Sequence, residues 1–205
     1  MDSKKTDSYR TLARPSEVAF FKDRKSKFYG YAFPITEEDD VKPILQQLKK
    51  KHHTANHLCY AWQLGIENKG YRANDDGEPM NSAGMPIYGQ IKAKELTNVL
   101  VVVVRIFGGT KLGVGGLIQA YRTTAQMVLE ASPIVEKKVL RKFVLHFGYE
   151  DMDKVMRIIK QHQLEIVSQQ LQTNCTYTIA VRKDKAQQIA AIFSTLHKVK
   201  VGKLD

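Results

Sequence analysis

Residues 98–108 read Asn-Val-Leu-Val-Val-Val-Val-Arg-Ile-Phe-Gly. An apolar run this continuous offers no face to water, so it suits a central strand covered on both sides. A chain that contains it must supply an apolar layer for each face. The surrounding sequence does so. Val41, Ile44, Leu45 and Leu48 recur at i, i+3, i+4 and i+7, predicting a helix that ends near His53, with Asp39 or Asp40 as N-cap and Pro43 in its first turn. Leu117, Ala120, Tyr121, Thr124 and Val128 share one side of a second helix, which runs through Ala131.

Shorter elements complete this half. Residues 17–22 and 25–35 are rich in β-formers and predict a hairpin turning at Asp23-Arg24. Leu58, Tyr60, Trp62, Leu64 and Ile66 alternate with His57, Cys59, Ala61, Gln63 and Gly65, predicting a strand whose core side excludes His57 and Cys59. A long polar loop follows over residues 67–81, then a short helix over about 82–96.

Ser132-Pro133 breaks the second long helix, because proline disfavours helical geometry in the residue before it. The expected domain boundary lies there, giving domains of residues 1–132 and 133–205. Beyond it the patterns read as a strand (139–147), a helix with Met152, Val155, Met156 and Ile159, two strands (165–172 and 175–182) turning at Thr173-Asn174, a helix with Ala186, Ile189, Phe193 and Leu196, and a strand near 199–204. That order, βαββαβ, is the ferredoxin-like arrangement. The expected fold class is α+β.

Composition bounds the setting. The formal charge is +11, about +5 from residues 1–132 and +6 from the remainder, so the basic excess is not confined to a tail. Excess Lys and Arg create a positive potential that draws phosphate-rich partners. The polar first fourteen residues lack a signal peptide's apolar core, and no run approaches the roughly 20 apolar residues of a membrane span, so the expectation is a cytoplasmic protein with no membrane partner. Cys59 and Cys175 fall in different predicted domains and are expected to be reduced thiols.

Two segments carry candidate chemistry. The turn from Gly108 through Gly109, Lys111, Gly113 and Gly115 to Gly116 joins the apolar strand to a helix. There, free amides and the helix dipole can receive an anion, with Arg105, Lys111 and Arg122 as nearby cations. It matches neither the P-loop nor the dinucleotide fingerprint, and tight turning with close helix packing is the plainer use of its glycines. The stretch Arg72, Asn74, Asp75, Asp76, Gly77, Glu78 crowds three carboxylates into a turn-forming segment. Those carboxylates allow Mg²⁺ binding or general-base work, against a plain role as turn and cap residues. His52, His53, His57 and Cys59 lack the spacing of a closed zinc site, and no cofactor is expected.

These residues also carry a resemblance. His57-Leu58-Cys59-Tyr60-Ala61, residues 74–79, Ala83-Gly84-Met85-Pro86-Ile87 and residues 105–117 with Ala120-Tyr121 resemble the signature of the IMPACT/YigZ family over residues 10–132, and the tail is similar to the C-terminal domain of bacterial members. One departure is Met80-Asn81-Ser82, where the family carries small residues. The resemblance implies an N-terminal domain with the ribosomal protein S5 domain 2-like fold and a C-terminal domain like domain V of elongation factor G. It also implies a partner that is RNA, the ribosome or a protein of translation control. The expectation is a non-enzymatic RNA- or ribosome-binding protein linked to regulation of translation, holding its partner with Arg72, Asn74, Arg105, Lys111, Arg122 and the glycines of the turn, and with His57, Asp75, Asp76 and Glu78 in a neighbouring loop. The alternative is a nucleotide-binding protein or Mg²⁺-dependent enzyme using the same two segments.

Overall fold

The computed structural model describes residues 7–66, 70–172 and 174–204. The elements of its first part are β1 (Ser8–Leu12), β2 (Ala19–Asp23), β3 (Ser26–Pro34), α1 (Val41–Lys51), β4 (His57–Leu64), β5 (Gly70–Asn74), α2 (Gly84–Ala93), β6 (Val99–Ile106), α3 (Gly113–Glu130) and β7 (Ile134–Lys138). There follow β8 (Leu140–Gly148), α4 (Met152–Gln161), β9 (Glu165–Gln170), β10 (Asn174–Arg182), α5 (Ala186–Ser194) and β11 (Lys200–Leu204). The described residues form two compact units: Tyr9–Lys137, and the chain from Lys138 onward with Asp7 and Ser8. Helices and antiparallel sheets make the class α+β.

In the first unit five antiparallel strands lie in the order β2-β3-β6-β4-β5. The apolar run becomes β6, flanked by β3 and β4. Its side chains divide by parity, as the two-residue period of a strand requires. Val99, Val101 and Val103 pack with Ile87 and Ile91 of α2 and with Tyr121 and Val128 of α3. Leu100, Val102 and Val104 pack with Val41 and Leu48 of α1, and with Tyr31 and Trp62. All six are fully buried, each worth about 1.5–3 kcal/mol of transfer free energy. The double covering predicted for this strand is what fixes the unit.

That double covering also corrects the reading of β4. Cys59 and Ala61 are completely buried and belong to the core beneath α2 and α3, while Leu58, Tyr60 and Trp62 serve the opposite face. Alternation pointed to one buried side, but a sheet with helices on both faces buries both. The residues facing α2 and α3 are small because helix and sheet approach closely there.

Other differences are local. Arg24 and Lys25 both have positive φ (41° and 68°), the signature of a two-residue hairpin turn, so the turn lies one residue beyond the expected Asp23-Arg24. The expected polar loop contains β5, which pairs with β4 from Gly70 to Asn74; residues 67–69 of that loop lie outside the described residues. Strands β1 and β7 pair with each other, an association between distant segments that no local pattern announces. Asp40 does not cap α1; its Oδ2 accepts the amides of Thr36 and Glu37 and the Thr36 hydroxyl, which holds its carboxyl below the usual range.

The second unit is a four-stranded antiparallel sheet in the order β11-β8-β10-β9. In chain order these strands are fourth, first, third and second, the ferredoxin-like pattern. Phe143, Leu145, Phe147, Tyr177 and Ile179 pack with Val155, Ile159, Ile189 and Phe193 of α4 and α5. Of the expected turn between β9 and β10, Asn174 opens β10 and Thr173 lies outside the described residues.

Candidate functional site

Arg105 stands at the end of the apolar strand, where a charge would be stranded without a partner. Glu78 supplies one: Arg105 Nη1 donates to Glu78 Oε1 at 2.6 Å, with side chains only 6% and 4% exposed. The same oxygen accepts the Tyr121 hydroxyl at 2.8 Å. Tyr121 in turn lies 3.3 Å from the Cys59 thiol, which also donates to the Asp75 carbonyl at 3.0 Å. Burial pushes both the thiol and the phenol well above their ordinary values, so neither ionises near neutrality.

The aspartates of the polar loop before α2 bond mainly to backbone amides. Asp75 accepts three amides, Asn81 through Oδ2 and Ala83 and Gly84 through Oδ1, which sets the start of α2. Asp76 accepts the Leu58 amide at 2.6 Å, and its own amide donates to Asn74 Oδ1 at 2.8 Å. Asp76 and Gly77 both have positive φ, and the turn they make places the Asp76 carbonyl 2.8 Å from His57 Nδ1. A carbonyl only accepts, so Nδ1 carries the proton in neutral His57, and Nε2 faces Glu78 Oε1 at 3.9 Å with a free lone pair. Of the three carboxylates singled out for Mg²⁺, Asp75 commits both oxygens to amides, Asp76 commits Oδ2 to the Leu58 amide, and Glu78 commits Oε1 to Arg105 and Tyr121. No cluster of three or more His, Cys, Asp or Glu among the described residues is placed to hold a metal.

Above this network lies a cavity of about 410 Å³. Arg105, Glu78, His57, Asn56 and Lys111 line its polar part, and Pro79, Phe107, Leu112, Val114 and Leu117 its apolar part. The first turn of α3 opens onto it through Gly113 and Val114. The residue before that turn, Leu112, provides no side-chain cap, so the leading amides of an 18-residue helix keep their donors and the positive end of its dipole.

The glycines divide into two kinds. A Cβ on Gly108 would stand 2.0 Å from the Lys25 carbonyl carbon, so this glycine serves packing of the turn against the β2–β3 hairpin, and its amide bonds to Ser26 Oγ at 3.2 Å. A Cβ on Gly116 would stand 3.1 Å from Leu112 Cβ, so this position is also crowded. Gly109 and Gly113 have positive φ (86° and 71°), and a Cβ there would meet nothing within 4 Å. Gly115 also faces empty space, yet its backbone is ordinary helix, so neither strain nor crowding requires a glycine.

The expected site residues are thus only partly brought together. Arg105, Lys111, Gly113, His57 and Glu78 share the cavity. Arg72 and Asn74 line a second, larger cavity of about 740 Å³ beside α1, together with Asp76, and Arg72 pairs there with Glu38 at 3.2 Å in a surface contact. Arg122 is exposed and follows Gly113 by nine helical residues, about 13 Å along the axis. Asn56, Phe107, Val114 and the buried Tyr121 belong to the site without having been expected there. The exposed Arg24 and Lys25 also stand in the hairpin turn that packs on Gly108, a proximity hidden by their distance in sequence.

A two-unit α+β protein with a buried Arg-Glu-Tyr network beneath a glycine-rich helix start is the class that fold and site define. The model of the Impact N-terminal domain matches residues 24–129, the stretch that holds the whole cavity. A Haemophilus influenzae IMPACT family member is 30% identical over 196 residues, covering 94% of both chains. The chain belongs to the IMPACT family. It is 34% identical over 139 residues to the Bacillus subtilis IMPACT family member YvyE, covering 68% of this chain and 64%, just under two thirds, of that protein. A crystal structure of a hypothetical protein shares the fold with a TM-score of 0.73 at 23% identity, covering 98% of each chain.

Proposed function

We propose that this chain is a non-enzymatic, cytoplasmic protein linked to translation that binds RNA or the ribosome at the start of α3. The observation that carries this reading is the uncapped first turn of α3, which presents Gly113 and Gly115 to open space beside the exposed Lys111. Amides at a helix start receive phosphate oxygens, and glycine lets the phosphate approach. The overall charge of +11 supplies long-range attraction. Membership in a family whose eukaryotic members regulate translation, as the resemblance implied, points the same way. A direct enzymatic role draws less support, because the carboxylates it would use are bonded within the protein.

Filter binding to structured RNA over a salt series tests the reading. Affinity should fall steeply with salt, and Lys111→Ala should weaken binding and lower the slope of log K against log salt by about 1. Binding that is absent, or indifferent to salt, would refute it. A translation partner captured equally with and without nuclease would replace RNA by protein.

A further inference from the structure

We infer that the cavity at the start of α3 accepts one nucleotide whose base is free of its stack, so that the RNA is single-stranded at this contact. The inference rests on the RNA-binding reading and narrows it.

Phosphate recognition alone would need only amides and cations on a flat surface. Here the uncapped helix start and Lys111 open into the same cavity as Phe107, Leu112 and Val114. Phe107 remains 41% exposed and Val114 53%, so both side chains are open to a ligand in the cavity. An aromatic face beside a phosphate site is the arrangement that holds an unstacked base, because every base offers a π-face and stacking is indifferent to sequence. A duplex keeps its bases inside and presents phosphates and groove edges, which gain nothing from an apolar wall. The volume of about 410 Å³ falls within the range of small-ligand sites and is far too small for a double helix.

Two further observations point to a ligand. Arg105 lines the cavity with its side chain 6% exposed, and its Nε has no hydrogen-bond partner among the described residues. Its guanidinium lies 5.5 Å from the centre of the Phe107 ring, so it supports the aromatic wall from within the protein. Glu78 also lines the cavity, but its charge is matched by Arg105 and its Oε1 also accepts the Tyr121 hydroxyl. Gly115 stands in the same first turn, just outside the cavity lining, and its missing Cβ leaves open space around the leading amides.

The test uses the full chain and fluorescence anisotropy with three probes: a short single-stranded oligoribonucleotide, the same strand annealed to its complement, and a nucleoside 5′-monophosphate as competitor. The single strand should bind at least about ten-fold tighter than the duplex. Phe107→Ala should weaken single-strand binding by about 5- to 150-fold and leave duplex binding unchanged. Gly115→Ala should weaken single-strand binding without lowering the melting temperature, which separates blocked approach from misfolding. Equal affinity for both RNA forms with a neutral Phe107→Ala overturns this inference and leaves RNA binding standing. No binding to either RNA, with the monophosphate bound in a Phe107-dependent way, keeps the nucleotide site and ends the RNA reading. No binding to any probe, or loss of a nuclease-resistant protein partner in Phe107→Ala, overturns both.

Discussion

Arg105 Nη1 stands 2.6 Å from Glu78 Oε1, both side chains all but sealed from solvent, so each charge takes the place of the other's lost water. Removing one partner strands the other. Arg105→Met or Glu78→Gln should each cost about 3–5 kcal/mol in denaturant unfolding, and the double replacement Arg105→Met with Glu78→Leu should cost less than the sum. Single variants within about 1 kcal/mol of the parent would show that the pair is hydrated and replaceable.

Gly108 and Gly115 should respond oppositely to alanine. Gly108→Ala drives a Cβ into the Lys25 backbone and should lose at least about 3 kcal/mol. Gly115→Ala meets open space in a helix and should gain about 0.5–1 kcal/mol. Thermal unfolding of the two variants decides this. A stable Gly108→Ala protein would contradict the close approach of the two turns.

His52 links stability to pH. Burial first, and the neighbouring Lys51 second, hold its pKa below 6.5, and the Tyr31 hydroxyl lies 2.7 Å from Nε2. The folded state therefore prefers the neutral ring. Its contribution should be complete above pH about 6.5 and fall as pH drops through that value toward the lower folded one, because the unfolded chain binds the proton first. His52→Phe should flatten this part of the profile in urea unfolding at stepped pH, and an unchanged profile would remove His52 as the cause.

The two thiols should be inert in the folded protein. Cys59 and Cys175 are fully buried, and burial raises the Cys59 pKa, so iodoacetamide at pH 8 should label neither until denaturant is added. Mass spectrometry of the native, labelled protein reads the result. Rapid modification of Cys59 would mean that the core beneath α2 and α3 opens freely.

The legible parts of this molecule are those whose pattern is local. The run that forms β6, the helical spacing of α1 and α3, and the order of the last six elements could all be read from residue periods. What escaped depends on distant neighbours. Nothing within Gly70–Asn74 marks it as a strand until β4 pairs with it, and β1 finds β7 more than a hundred residues later. The sequence offers Arg105 as a cation for the glycine turn, and its pairing with Glu78 stays hidden because Glu78 comes from a separate loop. The warning was its place at the end of an otherwise apolar strand. For Asp75 and Asp76 the plain reading, capping and turning, describes the structure, because three consecutive polar residues sit where α2 begins and β4 has an amide to satisfy.

The position of β6 has a consequence in time. With a strand on either edge and an apolar layer above and below, its amides can meet solvent only when the whole unit comes apart. Deuterium should therefore enter Val99–Val104 last, at the rate of global opening, and no partial fraying of the outer strands can release them early.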